Sequence, residues 1–114
     1  MMCLSTDIDI EHNIRMHQVI GVLNKEQFLE KLSEVYSSSD FNQNMSILWN
    51  FHNADMTSFS LDDTVEIANY VIEHRQRSSK LKSAVVATEV LSRYLSEKFS
   101  QKVSNHLDTN IKIF

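Results

Sequence analysis

The stretch that decides the fold spans residues 45–72 and reads MSILWNFHNADMTSFSLDDTVEIANYVI. It opens with a short apolar run, ILWNF at residues 47–51, whose length and β-branched and aromatic content favour a buried strand over a helix. After a polar connection, apolar residues recur at helical spacing from residue 61 onwards, which is typical of an amphipathic helix. The stretch therefore predicts one strand–loop–helix unit.

The helix of this unit has a well-marked start. Ser60 occupies the N-cap position and Asp63 follows at the capping-box spacing, so the serine hydroxyl can accept a backbone N–H of the first turn. Acidic residues in the first turns interact favourably with the positive end of the helix dipole. The predicted inward stripe consists of Leu61, Val65, Ala68 and Ile72, widened by Ile67 and Val71.

The residues before this unit predict a hairpin and a first helix. Residues 6–11 and 14–22 alternate in polarity as strands do, and Asn13 between them tolerates the positive φ of a tight turn. Asn24 is predicted to cap the first helix. The second of these strands carries Ile14, Met16, Ile20 and Val22 on one face, and residues 1–4 are expected to form a loose end.

The residues after the unit predict one more strand, helix and strand. Residues 83–87 form an apolar run of strand length, and Thr88 is predicted to cap a third helix. Residues 111–114 predict a short last strand. The predicted inward stripe of the third helix is Leu91, Tyr94, Leu95 and Phe99.

The element order is therefore β-β-α-β-α-β-α-β, within a single domain over residues 1–114. This order predicts an α/β fold with a mixed sheet, in which an antiparallel N-terminal hairpin joins strands connected by parallel crossovers and helices cover the sheet.

Composition excludes several classes of function. A net charge of −4 argues against nucleic acid as a partner, because phosphate binding needs an excess of Lys and Arg. No apolar run approaches the roughly 18 residues of a membrane span, and no secretory signal is visible. With one glycine and no proline, the chain has no glycine-rich phosphate loop. A single cysteine allows no internal disulfide, so a cytoplasmic protein is expected.

The residues that carry chemistry predict no catalytic centre, no metal and no cofactor. The five histidines lack metal-site spacing. His52 near Asp55 has two interpretations, an oriented base or ordinary loop hydrogen bonding. The hydroxyl groups of Thr57, Ser58 and Ser60 precede a helix N-terminus, where a phosphate on Ser58 or Thr57 would change a partner surface. The alternative for these hydroxyl groups is plain capping and turn chemistry.

Five segments together resemble a known family. They are residues 21–28 (GVLNKEQF), 47–55 (ILWNFHNAD), 59–63 (FSLDD), 84–87 (AVVA) and 111–114 (IKIF). They resemble the STAS domain of SpoIIAA-like anti-sigma-factor antagonists, and more closely the uncharacterised bacterial STAS/SEC14-like proteins. The resemblance implies that a partner kinase phosphorylates a serine at this helix N-terminus, for which Thr57 or Ser58 is the nearest position. The family's Asp-Ser-Ser/Thr-Gly pattern does not occur here.

Two functions follow as hypotheses. The first is a non-enzymatic regulatory module that binds a protein partner through residues 55–66, including Asp55, and associates with itself as a homodimer. Related proteins often carry a closing helix after the last strand, so an apolar surface covered by a partner is expected here. The alternative is a binder of a small apolar ligand or lipid, by analogy with CRAL-TRIO domains. Its predicted cavity is lined by Phe28, Leu32, Leu91 and Leu95, whose other interpretation is ordinary core.

Overall fold

The computed structural model of the protein describes residues 2–38, 45–74, 81–106 and 109–114. The helices are α1 (Lys25–Ser37), α2 (Leu61–His74) and α3 (Val90–Ser104). The strands are β1 (Cys3–Asp9), β2 (Ile14–Val22), β3 (Ser46–Asn50), β4 (Ala54–Asp55), β5 (Leu81–Val86) and β6 (Thr109–Ile113).

The strands form one mixed sheet in the order β1-β2-β3-β5-β6. β1 runs antiparallel to β2, and the pairs β2–β3, β3–β5 and β5–β6 are parallel. Strands joined through helices pair in parallel, as right-handed crossovers require. The predicted α/β fold, with its antiparallel hairpin and parallel crossovers, is therefore confirmed.

β4 is an addition that the sequence did not predict. Ala54 and Asp55 pair in parallel with Gly21 and Val22 at the end of β2. Gly21 has a φ of 97°, in the left-handed region that glycine enters without a steric penalty. The only glycine of the chain thus allows β2 to bend where the exit loop of β3 comes alongside it.

The hairpin is longer than predicted. β1 starts at Cys3 instead of residue 6, and Met2 is buried in the core, so residues 2–4 are ordered where a loose end was expected. Leu4 pairs with Val19 and packs against the core, which explains the earlier start. The turn has Asn13 at a φ of 56°, as predicted.

All three helices lie on one face of the sheet. The buried strand residues Val19, Ile47 and Val85 point to this inner face, and their neighbours along each strand are half-buried or exposed. The inner face and the helices share one core. The opposite sheet face, called the open face below, has no helix over it in the described part of the chain.

The two clearest helix starts are confirmed. The Asn24 side chain accepts the Gln27 N–H at 3.0 Å. Ser60 and Asp63 form a reciprocal capping box, in which each backbone N–H donates to the other side chain at 3.0 Å. The predicted Thr88 cap of α3 is wrong, because the N-cap residue is Glu89 and makes no side-chain cap hydrogen bond.

The inward faces of α2 and α3 are rotated from their predicted positions. Leu61 is 42% exposed at the start of α2, and Leu91 and Tyr94 of α3 are 39% and 45% exposed. Small hydroxyl residues take the place of these three side chains in the interior, because small residues let the helices approach closely. The buried residues are Thr64, Ile67, Ala68 and Val71 in α2, and Ser92, Leu95, Ser96 and Val103 in α3.

Candidate functional site

The four predicted interaction residues converge on the turn that enters α2. Asp55 Oδ1 accepts the Thr57 N–H at 2.9 Å and the Thr57 hydroxyl at 2.6 Å. These two hydrogen bonds stabilise the carboxylate and lower the pKa of Asp55. The Phe59 N–H donates to the Met56 carbonyl at 3.0 Å and closes a turn around Thr57 and Ser58.

Within this turn, Ser58 differs from the other two hydroxyl residues. The Thr57 hydroxyl donates to Asp55, and the Ser60 hydroxyl caps α2. The Ser60 carbonyl also accepts the backbone N–H and the hydroxyl of Thr64, both at 3.1 Å. Ser58 is exposed at the tip of the turn. All three residues are exposed, so Thr57 and Ser60 differ from Ser58 in the local hydrogen bonds of their hydroxyl groups and not in accessibility.

His52 does not pair with Asp55. Its Nδ1 lies 3.0 Å from the Thr88 hydroxyl, and its backbone N–H donates to Asn50 Oδ1 at 2.9 Å. His52 and Asp55 line the same shallow polar depression, together with Glu89. The oriented-base interpretation is therefore not supported by the geometry. No group of three His, Cys, Asp or Glu residues suited to a metal ion occurs in the ranges that the structure describes.

A second candidate site is a cavity of about 90 Å³ between the helices and the inner face of the sheet. Phe28, Leu32 and Leu95 line it, as predicted for an apolar-ligand site. Leu91 does not line it and lies partly exposed on the outside of α3, so this part of the prediction is wrong. Hydroxyl residues also reach the wall, namely Thr64, Ser83 and Ser96.

The cavity contains a polar residue that sequence reasoning missed. His17 lines it and is 1% exposed. Its Nδ1 lies 2.9 Å from the Thr6 hydroxyl, and its ring stacks on Trp49 with centroids 4.4 Å apart. Burial, assisted by the positive charge of Arg15, lowers the pKa of His17 to about 4. The period-two alternation of β2 places residue 17 opposite the predicted apolar face, so no local signal indicated that it is buried.

The Nε2 atom of His17 is the unusual feature of this site. It is buried and has no hydrogen-bond partner among the residues that the structure describes. Buried polar side-chain atoms in native proteins nearly always have a partner, from the protein or from water. The cavity is therefore lined mainly by apolar side chains and includes a histidine whose Nε2 atom is available for a further hydrogen bond.

The open face of the sheet has an ordered arrangement of charge. One row of paired residues crosses all five strands in the order Asp7, Met16, Leu48, Ala84, Lys112. The three central side chains are half-buried and apolar, and the two terminal ones are exposed. Adjacent residues in this row lie about 5 Å apart, which is the spacing between neighbouring strands. This row is thus acidic at the β1 edge, apolar in the middle and basic at the β6 edge.

Comparison with known proteins gives likenesses among solved structures. No protein-family model matches the chain, and no curated protein matches it. Among solved structures, it is similar to the STAS domain of an antisigma-factor antagonist from Rhodobacter sphaeroides. The identity is 8%, the TM-score is 0.39, and the alignment covers 98% of this chain and 84% of that chain. None of the described helices is both long enough and apolar enough to cross a membrane.

Proposed function

We propose that this chain is a non-enzymatic regulatory module whose function is protein–protein contact, and that it forms a homodimer through the open face. The observation that carries the proposal is the row on that face whose apolar centre, Met16, Leu48 and Ala84, lies between ends of opposite charge. Exposed apolar sheet surface is costly in water and is typical of interaction sites. A cytoplasmic location stays a prediction.

The charge arrangement selects the geometry of the homodimer. Two sheets stacked face to face lie about 10 Å apart. A twofold axis parallel to the strands reverses the strand order of the second copy, so β1 of each copy lies over β6 of the other. Asp7 then faces Lys112 of the second copy, twice per dimer. A twofold axis across the strands would instead place Asp7 over Asp7, which like-charge repulsion disfavours.

A charge-swap experiment tests this interface. Asp7→Lys or Lys112→Glu is expected to weaken the dimer about tenfold, because each variant creates two like-charge contacts across the twofold axis. The double variant Asp7→Lys/Lys112→Glu is expected to recover the wild-type dissociation constant. Sedimentation equilibrium at low ionic strength measures all of these constants.

Glu97→Lys is the matched control, since it makes the same charge change on an exposed residue of α3. It should leave the dimer unchanged. A wild-type protein that stays monomeric at high concentration, or a double variant no stronger than the single ones, would contradict the proposed interface.

A second contact surface, for a different protein, is proposed at the turn that enters α2. Support comes from Ser58, which is exposed at the tip of the turn, and from the ordered residues around it. The carboxylates Asp55, Asp62 and Asp63 lie on the same stretch, so a phosphate on Ser58 would add charge to an already acidic surface. Phosphorylation of Ser58, or of Thr57 after its bond to Asp55 breaks, is the proposed switch.

Ser58→Glu mimics this added charge. Proteins that bind the immobilised wild-type chain and the Ser58→Ala variant are expected to be retained about tenfold less by Ser58→Glu, because repulsion at the contact opposes binding. Quantitative mass spectrometry of proteins captured from extracts of the source organism measures the ratio. Ser104→Glu, at the exposed end of α3, is the control. If Ser58→Glu and Ser104→Glu retain equal amounts of the captured proteins, the proposed switch is contradicted.

A second candidate function, binding of a small apolar molecule, is supported by the cavity between the helices and the sheet. Its volume of about 90 Å³ is well below the roughly 300 Å³ at which pockets for drug-sized ligands begin. The present shape of the cavity therefore favours a molecule much smaller than a lipid.

A further inference from the structure

We infer that His17 Nε2 is the polar anchor of a binding site for a small, neutral, mainly apolar molecule that carries one hydroxyl group. This inference rests on the second candidate function and adds the chemical class of ligand and the residue that recognises it. It draws on the cavity, on the burial of His17 and on the unsatisfied Nε2 atom.

The His17 ring is held in place from two directions. Thr6 on β1 engages Nδ1 at 2.9 Å, and the Trp49 ring on β3 stacks against the imidazole at an interplanar angle of 29°. Because the two ring nitrogens lie on opposite sides of an imidazole, Nε2 is directed away from Thr6 and β1. A ring fixed in this way is preorganised, so a ligand that bonds to Nε2 does not have to immobilise it.

The cavity limits the size and charge of the ligand. An engineered apolar cavity of about 150 Å³ holds benzene, which has six non-hydrogen atoms, so a cavity of about 90 Å³ suits a molecule of about four non-hydrogen atoms. Its wall is dominated by apolar side chains such as Phe28 and Val85. Burying an ion against such a wall would carry a large desolvation cost, which favours a neutral ligand.

The hydrogen-bonding chemistry of His17 points to a hydroxyl group. The neutral imidazole offers one donor and one acceptor, and the Thr6 hydroxyl can satisfy Nδ1 in either role. Nε2 then has the other role: it accepts if Nδ1 donates to Thr6, and it donates if Nδ1 accepts. A ligand hydroxyl can donate or accept, so it is complementary to both tautomers, whereas a hydrocarbon of the same shape would leave Nε2 unsatisfied.

Two probes distinguish binding in the cavity from hydrogen bonding to His17 Nε2. Xenon occupies apolar cavities without hydrogen bonding, and isopropanol has about four non-hydrogen atoms and one hydroxyl. Both are titrated into the full chain and followed by NMR, with the ¹⁵N resonance of His17 Nε2 as the direct measurement. Isopropanol is expected to shift this resonance strongly and xenon to leave it nearly unchanged, although both perturb the amides around the cavity.

Variants at position 17 and on the cavity wall complete the test. His17→Phe is expected to bind isopropanol about tenfold more weakly and xenon equally well, since it removes the hydrogen bond and keeps a ring. His17→Gln, which places an amide near the Nε2 position, should recover part of the isopropanol affinity. Ser96→Leu reduces the cavity from the α3 side and should weaken the binding of both probes.

The outcomes distinguish this inference from the function on which it rests. Equal isopropanol affinity in wild type and His17→Phe, or an Nε2 resonance unmoved by isopropanol, overturns the anchor and leaves the apolar cavity as a binding site. A cavity that holds water on His17 and admits neither probe overturns both. The wild-type Nε2 resonance decides the question even if His17→Phe does not fold.

Discussion

Lowering the pH from 7 to 4 is expected to destabilise the wild-type protein by about 3 kcal/mol more than the His17→Phe variant. The pKa of His17 is about 4 in the folded chain, against an ordinary value of 6.5. Each unit of such a difference corresponds to about 1.4 kcal/mol. The difference arises because burial on the inner face penalises the imidazolium ion and the charge of Arg15 opposes it further.

The direction of the effect follows from which state binds the proton. Between pH 6.5 and about 4, the unfolded chain protonates His17 and the folded chain does not. The free energy of unfolding therefore falls as the pH is lowered through this window, and the contribution of His17 levels off below about pH 4. At neutral pH, where both states hold a neutral ring, this penalty is absent.

Urea denaturation at a series of pH values measures the effect as a difference between two proteins. The carboxylates, including Asp9 and Asp55 with their lowered pKa values, are common to both proteins, so their contributions cancel. His106→Gln, which changes an exposed histidine, is the control and should follow the wild-type curve. Parallel curves for wild type and His17→Phe would contradict the burial of His17.

Phe28→Ala is expected to lower the free energy of unfolding by about 3 to 5 kcal/mol, and Leu91→Ala by less than about 1 kcal/mol. Phe28 is 5% exposed and packs against Trp49 and Phe51, with ring centroids 5.4 and 6.1 Å away. Its truncation removes these contacts and enlarges a cavity that already exists. Leu91 is 39% exposed and does not line the cavity, so little is lost.

This pair of variants compares the sequence with the structure directly. Apolar periodicity assigned Phe28 and Leu91 to the same interior, whereas the structure places only Phe28 there. Chemical denaturation of both variants at pH 7 gives the two values. Similar losses for Phe28→Ala and Leu91→Ala would mean that α3 is rotated from the orientation described above.

The features that the sequence predicted correctly depend on neighbouring residues. The Asn24 cap, the Ser60–Asp63 capping box and the Asn13 turn each join residues no more than three positions apart, and all are present. The predicted interaction residues also meet in one turn, because Asp55, Thr57, Ser58 and Ser60 lie within six positions of one another. Local chemistry of this kind does not require the rest of the fold.

The second candidate site could not be predicted in this way. His17, Trp49 and Phe28 come from β2, β3 and α1, and meet only after the sheet and the helix layer have assembled. A histidine in a strand has no local signal that distinguishes a buried position from an exposed one. The exit of β3 likewise brings His52 to Thr88, thirty-six positions away, and not to nearby Asp55.

By itself, the sequence determined the order of the elements other than β4, the caps that begin α1 and α2, and the two faces of each strand. Only the tertiary structure decided which face became the interior. In β2, the apolar side chains of Ile14, Met16 and Ile20 lie on the open face, while Arg15 and His17 lie under the helices. Alternation along a strand defines two faces but does not say which of them becomes buried. The crossover connections place the helices on one side of the sheet, and the side chains on that side become buried.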